Sequence, residues 1–438
     1  MLRISYFLLL VIILQSCVEP INNHQKLPPG MYRGVLNLKD TNIENAAEEI
    51  NTKLNIVEPS QLPFNFEVAY EEGSDEDFKI ILYNDDERLQ VTDISYGKDR
   101  ATNRDTVLIK FPIYDTYISA IYNENVLEGY WGVNYRNNYK IPFVAYHGQA
   151  HRFTDLTKTN QYNISGRWKC TFTEADGAED ITIGNFEQEG NKITGTFKTE
   201  TGDYRFLEGN IIDNKFYLSV FDGSHAFLFE GKILDDNKII GSFTSGIHYQ
   251  ATWEGIRDDD FELTDPYQLT SLQGASEIID FSFPDVNKVM VSLSDAKYDN
   301  KIKIVKIMGT WCPNCMDATN FILEYLAKND SEDIAVIALA FERYRDESKA
   351  YAAIKKYKDR KAIPFDILYG GYFEKDESTA KLPFLDNIIS YPTLLFIDKR
   401  NRLRKVHTGF SGPATDKYED FKNGFDKIVA ELRSTEEI

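Results

Sequence analysis

The sequence predicts an antiparallel all-β region followed by a smaller α/β domain. Three observations carry that fold class. From Gly30 to about Arg257, short runs alternate apolar and polar residues and are cut by Gly, Asn and Asp turns, as in "DTVLIKFPIYDTYISAIY". Inside that stretch "NKITGTF", "NKFYLSVF" and "NKIIGSF" start at 191, 214 and 237, a 23-residue period that holds two strands and two turns. From about Glu277 the pattern changes to strands alternating with helices. A chain of 438 residues has room for two or three domains, and 42% hydrophobic residues supply their cores. The net charge of −20 comes with no basic stripe, which argues against nucleic acid as a partner.

Residues 1–17, "MLRISYFLLLVIILQSC", carry Arg3 and then an apolar run from Ile4 to Leu14. That run is short for a bilayer span and has the length of a signal-peptide core. Its end, Leu14-Gln15-Ser16-Cys17, resembles a bacterial lipobox, which implies lipidation of Cys17 as the first residue of the mature protein. Gln15 is a less usual spacer, and an ordinary secretion signal is the alternative. Residues 18–29 are polar and proline-containing and read as a tether. A lipoprotein of this kind sits in the cell envelope of a Gram-negative-type bacterium, anchored to membrane and facing the periplasm, where dithiols can oxidise.

Residues 30–155 and 164–257 read as two related β units. "GMYRGV" at 30–35 is echoed by "GRWKCT" at 166–171, and "VLEGYW" at 126–131 by "FLEGNI" at 206–211. Small barrels, sandwiches or one larger closed sheet all satisfy this pattern. Alternation puts Trp168, Cys170 and Phe172 on one face, so Cys170 reads as a small buried residue, with a reactive thiol as the alternative. "RDDDFELTDPYQLTSLQGAS" breaks the alternation, and residues 258–276 read as a linker.

In residues 277–438, "KIKIVKIM", "IAVIALAF" and the short "PFDILY" read as strands. The helix "CPNCMDATNFILEYLAK" carries Phe321, Ile322, Tyr325 and Leu326 on one face, and "SKAYAAIKKYK" is a second helix. "TLLFID" and "RLRKVHTGF" form a closing hairpin. The last helix has apolar residues at 418, 421, 425, 428, 429 and 432.

Trp311-Cys312-Pro313-Asn314-Cys315 falls where a strand ends and a helix begins. Unpaired backbone N–H groups and the helix dipole stabilise a thiolate there. Cys312 is therefore expected to be the exposed attacking thiol, with Cys315 one turn inward to resolve a mixed disulfide. Pro313 suits the first helical position because its missing N–H has no partner there anyway.

A strand, W-C-x-x-C, a helix and a later Tyr391-Pro392-Thr393 before a hairpin together resemble the thioredoxin fold. Within it, "FSFPDVNKVMVSLSD" and "IMGTWCPNCMD" are similar to the opening segment and active-site block of the membrane-anchored TlpA/ResA-like group. The resemblance covers about residues 277–436 and leaves out the β region. It implies a thiol–disulfide oxidoreductase, acting as a protein disulfide reductase, in which Cys312 attacks and Cys315 resolves. Trp311 would shape the site, Pro392 would be cis, and Tyr391 would offer backbone hydrogen bonds to an extended substrate strand. No metal or organic cofactor is implied, because electrons travel as dithiols. The implied partners are disulfide-containing proteins and a membrane or periplasmic dithiol donor. One position departs from cytosolic thioredoxins, which carry a buried aspartate six residues before the first cysteine. Lys306 stands there, and it either snorkels outward or depresses the pKa of a neighbouring thiol. Glu342, ending "ALAFE", is the candidate proton acceptor in its place, against the plainer reading of a solvated strand-end carboxylate.

Other readings compete. Zinc needs four ligands; with Cys17 set aside only Cys170 among the cysteines is left to join the pair, and the six histidines are scattered, with His147 and His151 in a polar loop. A purely structural 312–315 disulfide closes too small a loop to constrain much of the chain. A peroxiredoxin-type peroxidase would have threonine three residues before its reactive cysteine, where this chain has Gly309. A binding or scaffold module centred on the β region is the rival from another class.

Overall fold

The computed structural model describes residues 26–39, 60–74, 76–155, 160–274 and 277–434. The lipobox with Cys17 and most of the 18–29 tether lie outside these residues. Among the described residues, no helix is long and apolar enough to cross a membrane.

The two β units share a start and differ in closure. Gly30 and Gly166 both open their first strand at φ 113°. Two residues on, each strand buries an aromatic ring that reaches back four residues: Tyr32 Oη donates to Pro28 O at 3.0 Å, and Trp168 Nε1 donates to Ile164 O at 2.9 Å. From there the second unit closes into an eight-stranded antiparallel barrel, Gly166–Glu174 pairing with Tyr249–Arg257 across the seam. Its interior is filled by rings, with Phe197 and Phe243 each stacked on Phe229 at 4.6 and 4.5 Å. As in other barrels of this strand number, side chains make a packed core there. The binding-module alternative is therefore left with the barrel's outside and ends. Cys170 lies inside that core, and burial pushes its thiol up to about 12, as expected of a structural cysteine.

The first unit is a nine-stranded antiparallel sheet that stays open, with Gly30–Asn37 near its middle, between Gln61–Tyr70 and Lys140–His147. It lays one apolar face on the outside of the barrel. Phe221, Ala226 and Leu228 of the barrel belong to the sheet's core, and the Phe64 and Phe221 rings lie 4.4 Å apart. Buried Arg152 stitches the two, donating to Ser219 Oγ, Ser219 O and Tyr83 O at 3.0, 2.9 and 2.9 Å. One closed and one open sheet, packed together, is the answer to the choice the sequence left open.

Residues 258–274, read as a linker from the sequence, pack along the α/β part. Thr408 N donates to Pro266 O at 3.0 Å, Ser271 N to Asp386 Oδ1 at 2.9 Å, and the Tyr267 ring packs on His407. Its turns supply backbone partners that a strap along a domain surface needs.

The α/β part is built on a five-stranded sheet. Asp366–Tyr372, Ile334–Glu342 and Ile302–Met308 are parallel neighbours, and Thr393–Ile397 and Leu403–Thr408 continue the sheet antiparallel. The central strands are buried along their whole length because helices or loops cover both faces. Pro313–Lys328, Glu347–Arg360 and Tyr418–Ser434 pack on one face, and the hairpin Ser282–Pro284 with Met290–Ser292 packs on the other. That hairpin and a short helix, Lys375–Lys381, were not legible as elements in the sequence.

Candidate active site

The strand Ile302–Met308 and the helix Pro313–Lys328 deliver the dithiol, and the order of residues between them sets its geometry. Cys312 caps the helix: its Sγ accepts from Cys315 N at 3.1 Å, with Pro313 at the first helical position. Across the gap, the Cys312 thiol donates to Tyr391 O at 3.3 Å, and the Tyr391–Pro392 peptide is cis. Trp311 stands beside the pair, its Nε1 donating to Phe341 O at 3.1 Å and its ring edge-on to Tyr391. Gly309 leaves room for that indole, since a Cβ there would lie 2.3 Å from Trp311 Nε1. The threonine of the peroxidase alternative therefore has no space at 309.

Lys306 does not snorkel. It is fully buried behind the dithiol, donating to Cys315 O at 3.4 Å and also to Thr319 Oγ1. Thr319 in turn donates to Cys315 O at 2.8 Å and accepts from Tyr357 Oη at 2.5 Å. Burial lowers the Lys306 ammonium to about 8, opposed by attraction from both thiols. Burial and the neighbouring Cys312 push the Cys315 thiol well up, and Lys306 is the charged group that pulls it back. Glu342 is buried rather than solvated, accepting from Thr310 N at 3.0 Å and Thr310 Oγ1 at 2.9 Å. Burial lifts its carboxyl to about 7 against those two bonds. Lys306 thus points inward and opposes the rise of the Cys315 thiol without reversing it, and the position places a cation, not a carboxylate, behind the inner thiol.

Cys312 departs from expectation in one respect: only 8% of it is exposed, against 0% for Cys315. Its own domain holds it through Tyr391 and Cys315, and a barrel turn lies beside the motif. The turn at 199–203 lies against the loop that carries cis-Pro392 and against Gly412: Ser390 Oγ donates to Thr201 O at 3.1 Å, and Gly412 N to Asp203 Oδ2 at 3.1 Å. Gly202 is so close to the motif that a Cβ on it would lie 2.0 Å from Asn314 Nδ2. Gly409, at φ 80°, faces the same turn, where a Cβ would meet Thr201 C and O at 2.9 Å. Gly202→Val is accordingly expected to push the turn off the motif, costing about 1–3 kcal/mol and raising the alkylation rate of Cys312. An unchanged alkylation rate in a folded variant would contradict the close fit of turn and motif.

Behind the turn, Arg205 joins all three parts. It pairs with Glu87 of the open sheet at 2.5 Å, with Asp222 of the barrel at 3.6 Å, and with Asp317 of the active-site helix. Burial raises the carboxyls of Glu87, Asp203 and Asp317, opposed by Arg205. Burial acts on Asp222 too, but His225 and Arg205 outweigh it and hold that carboxyl at about 2. Sequence reading missed this cluster because Glu87 and Asp317 each lie more than a hundred residues from Arg205 along the chain.

No family model matches the chain. Among curated proteins, the thioredoxin-like protein YneN of Bacillus subtilis is 25% identical over 138 residues, 32% of this chain and 73% of the relative. Among solved structures, a thiol:disulfide interchange protein of the thioredoxin family from Chlorobium tepidum is 20% identical, covering 36% of this chain and 99% of its own, with a TM-score of 0.28. A thiol-disulfide isomerase from Corynebacterium glutamicum is 19% identical over 35% of this chain and 95% of its own, also at 0.28. A thiol-disulfide oxidoreductase from Bacteroides fragilis is 16% identical over 34% and 98%, at 0.25. With its sheet order, its dithiol at a helix N-terminus and a cis-proline loop opposite, the α/β part of this chain has the thioredoxin-like fold.

Proposed function

We propose that this protein is a thiol–disulfide oxidoreductase of the TlpA/ResA-like kind, lipid-anchored through Cys17 and facing the periplasm, which reduces disulfides of other proteins through Cys312-Pro313-Asn314-Cys315. The observation that carries the reading is the seat of Cys312, capped by Cys315 N and facing the carbonyl of Tyr391 before cis-Pro392. In the exchange the Cys312 thiolate attacks one sulfur of the substrate disulfide. The substrate S–S bond breaks, a Cys312–substrate disulfide forms, and the first substrate sulfur leaves as a thiolate that takes a proton. Cys315, losing its proton, then attacks Cys312 Sγ and the second substrate sulfur leaves. Two electrons pass to the substrate and a Cys312–Cys315 disulfide remains, which a membrane or periplasmic dithiol donor must reduce. Lys306 offers the cation that favours the Cys315 thiolate, and Glu342 is the further candidate for receiving the proton. The lipid tether raises the effective concentration near a membrane donor.

Trapping tests the roles. Cys315→Ala is expected to accumulate a disulfide adduct through Cys312, and Cys312→Ala is expected to accumulate none. Equal trapping by both variants, or by neither, contradicts the assignment. Palmitate labelling tests the anchor: Cys17→Ser is expected to abolish it, and a labelled variant would overturn the lipobox reading. The scaffold reading predicts instead that the double cysteine variant keeps its biological effect and that loss of residues 30–257 removes it.

A further inference from the structure

Beside the barrel turn, Cys312 lies at the wall of a cleft of about 440 Å³. Trp311, Cys312 and Asn314 form one wall, the barrel supplies Tyr204, His225 and His248, and the open sheet contributes Tyr135 and Arg136. The fully charged side chains of the lining are Arg136, Arg343 and Asp203. Asp203 is turned onto protein, its two oxygens accepting from Arg205 N at 2.8 Å and Gly412 N at 3.1 Å. Among the described residues, neither arginine side chain has a hydrogen bond or ion pair of that kind, though Arg343 acts on the buried Glu342 carboxyl through its charge. Arg343 lies 3.9 Å over the Tyr135 ring and 5.7 Å from that of Trp311, and Arg136 lies 5.4 Å over Tyr139. Stacking on aromatic faces fixes a guanidinium while leaving its N–H edge available for a carboxylate. Buried Glu342 behind Arg343 is held by Thr310 through both oxygens. Asn314 Oδ1 is buried beside the cleft without a hydrogen-bond partner among the described residues. A cationic pair at the nucleophile, in a chain of net charge −20, is the reverse of the molecule's overall field.

We propose that this cleft selects disulfides flanked by carboxylates, carried on a short flexible segment, with Arg136 and Arg343 as the specificity-determining residues. The inference rests on thiol–disulfide exchange at Cys312 and Cys315, and it gives the β region a role in substrate choice. The barrel turn bears on shape as well: Thr201 and Gly202 occupy the surface beside Asn314 and Ser390, so the substrate cystine enters through the cleft.

The test uses the full chain, pre-reduced, in single turnovers. The substrates are disulfide-linked dimers of a short peptide with one cysteine flanked by Glu, Gln or Lys, and hydroxyethyl disulfide as an uncharged control. Each rate is divided by the rate of the same disulfide with dithiothreitol, because flanking charge alters its intrinsic reactivity. The Glu peptide is expected to outrun the Lys peptide by at least about fivefold, the scale of two exposed charge pairs. Raising salt from about 20 to about 500 mM should erode the ratio. Arg136→Gln with Arg343→Gln should bring the ratio toward one, while Arg136→Lys with Arg343→Lys should retain most of it. Equal normalised rates for the three peptides in the wild-type chain, or a ratio indifferent to both salt and the glutamine variant, would overturn the proposal. Failure of the protein to oxidise with hydroxyethyl disulfide and with every peptide would overturn the exchange reading itself.

Discussion

Arg205→Met is expected to cost about 3–5 kcal/mol, the range for removing one partner of a buried ion pair. The guanidinium is the common partner of Glu87, Asp222 and Asp317, and its own backbone N–H is held by Asp203. Without it, carboxylates that burial already raises lose the attraction that opposes burial. Their folded-state pKa values then lie further above the unfolded ones, so the folded state binds more protons and stability falls as pH rises above about 4. The variant should accordingly lose more stability at pH 8 than at pH 5 in denaturant titrations. Because Asp317 sits on the active-site helix, the same change should loosen the barrel from the dithiol and speed alkylation of Cys312. A loss independent of pH, with Cys312 still covered, would contradict the assignment of Arg205 as the joint.

Lys306→Met is expected to act in two opposite directions. Its folded pKa of about 8 lies below the ordinary lysine value. The folded state therefore binds fewer protons than the unfolded state between about pH 8 and 10.5. The burial cost is in full force below that window and is relieved as pH rises through it. At pH 7 the methionine variant should be more stable by about 1–3 kcal/mol, less what the lost bonds to Thr319 and Cys315 O contribute. The advantage should disappear by about pH 10.5. Catalysis should suffer in the same protein, because the Cys315 thiolate loses its nearby cation. A shift of about one to two units, the usual effect of an opposite charge, slows resolution about tenfold or more at neutral pH. Lifetimes of the Cys312–substrate disulfide, read by quench and mass, check this. A variant that resolves as fast as the wild type would remove Lys306 from the mechanism. Glu342→Gln separates the other candidate: glutamine can keep both bonds to Thr310, so a slowed resolution in that variant points to the carboxyl as a proton acceptor.

What could be read from the sequence was what depends on neighbours along the chain. Alternation and the 23-residue repeat at 191, 214 and 237 mark strands now seen at Lys192–Lys198, Lys215–Phe221 and Lys238–Ser245. The strand–dithiol–helix arrangement and the Tyr391-Pro392 loop are local signals too. Barrel closure was not legible, because open and closed antiparallel sheets share one period. The distinction lies in the pairing of Gly166–Glu174 with Tyr249–Arg257, strands far apart in the chain. The barrel turn beside the motif was equally hidden, since Thr201 and Gly202 lie more than a hundred residues upstream of Asn314 with no motif of their own. Lys306 was noticed by position, but only packing against Thr319 and Tyr357 decides that it points inward. Arg205, at φ 67° between Tyr204 and Phe206, reads as an ordinary surface turn until its partners are assembled around it. Arg343 directly follows Glu342, so the acidic neighbour drew attention while the arginine facing the cleft did not.

The account turns on one pair of thiols, and an equilibrium redox titration reads them directly. The full chain is held in defined thiol buffers, and Cys170, Cys312 and Cys315 are then alkylated and located by mass. A single two-electron transition of Cys312 with Cys315 is predicted, at about −200 mV or lower as a reductant requires, with Cys170 remaining a thiol throughout. Independent titration of the two cysteines, or a pair that stays reduced from about −300 to −120 mV, would contradict the exchange mechanism.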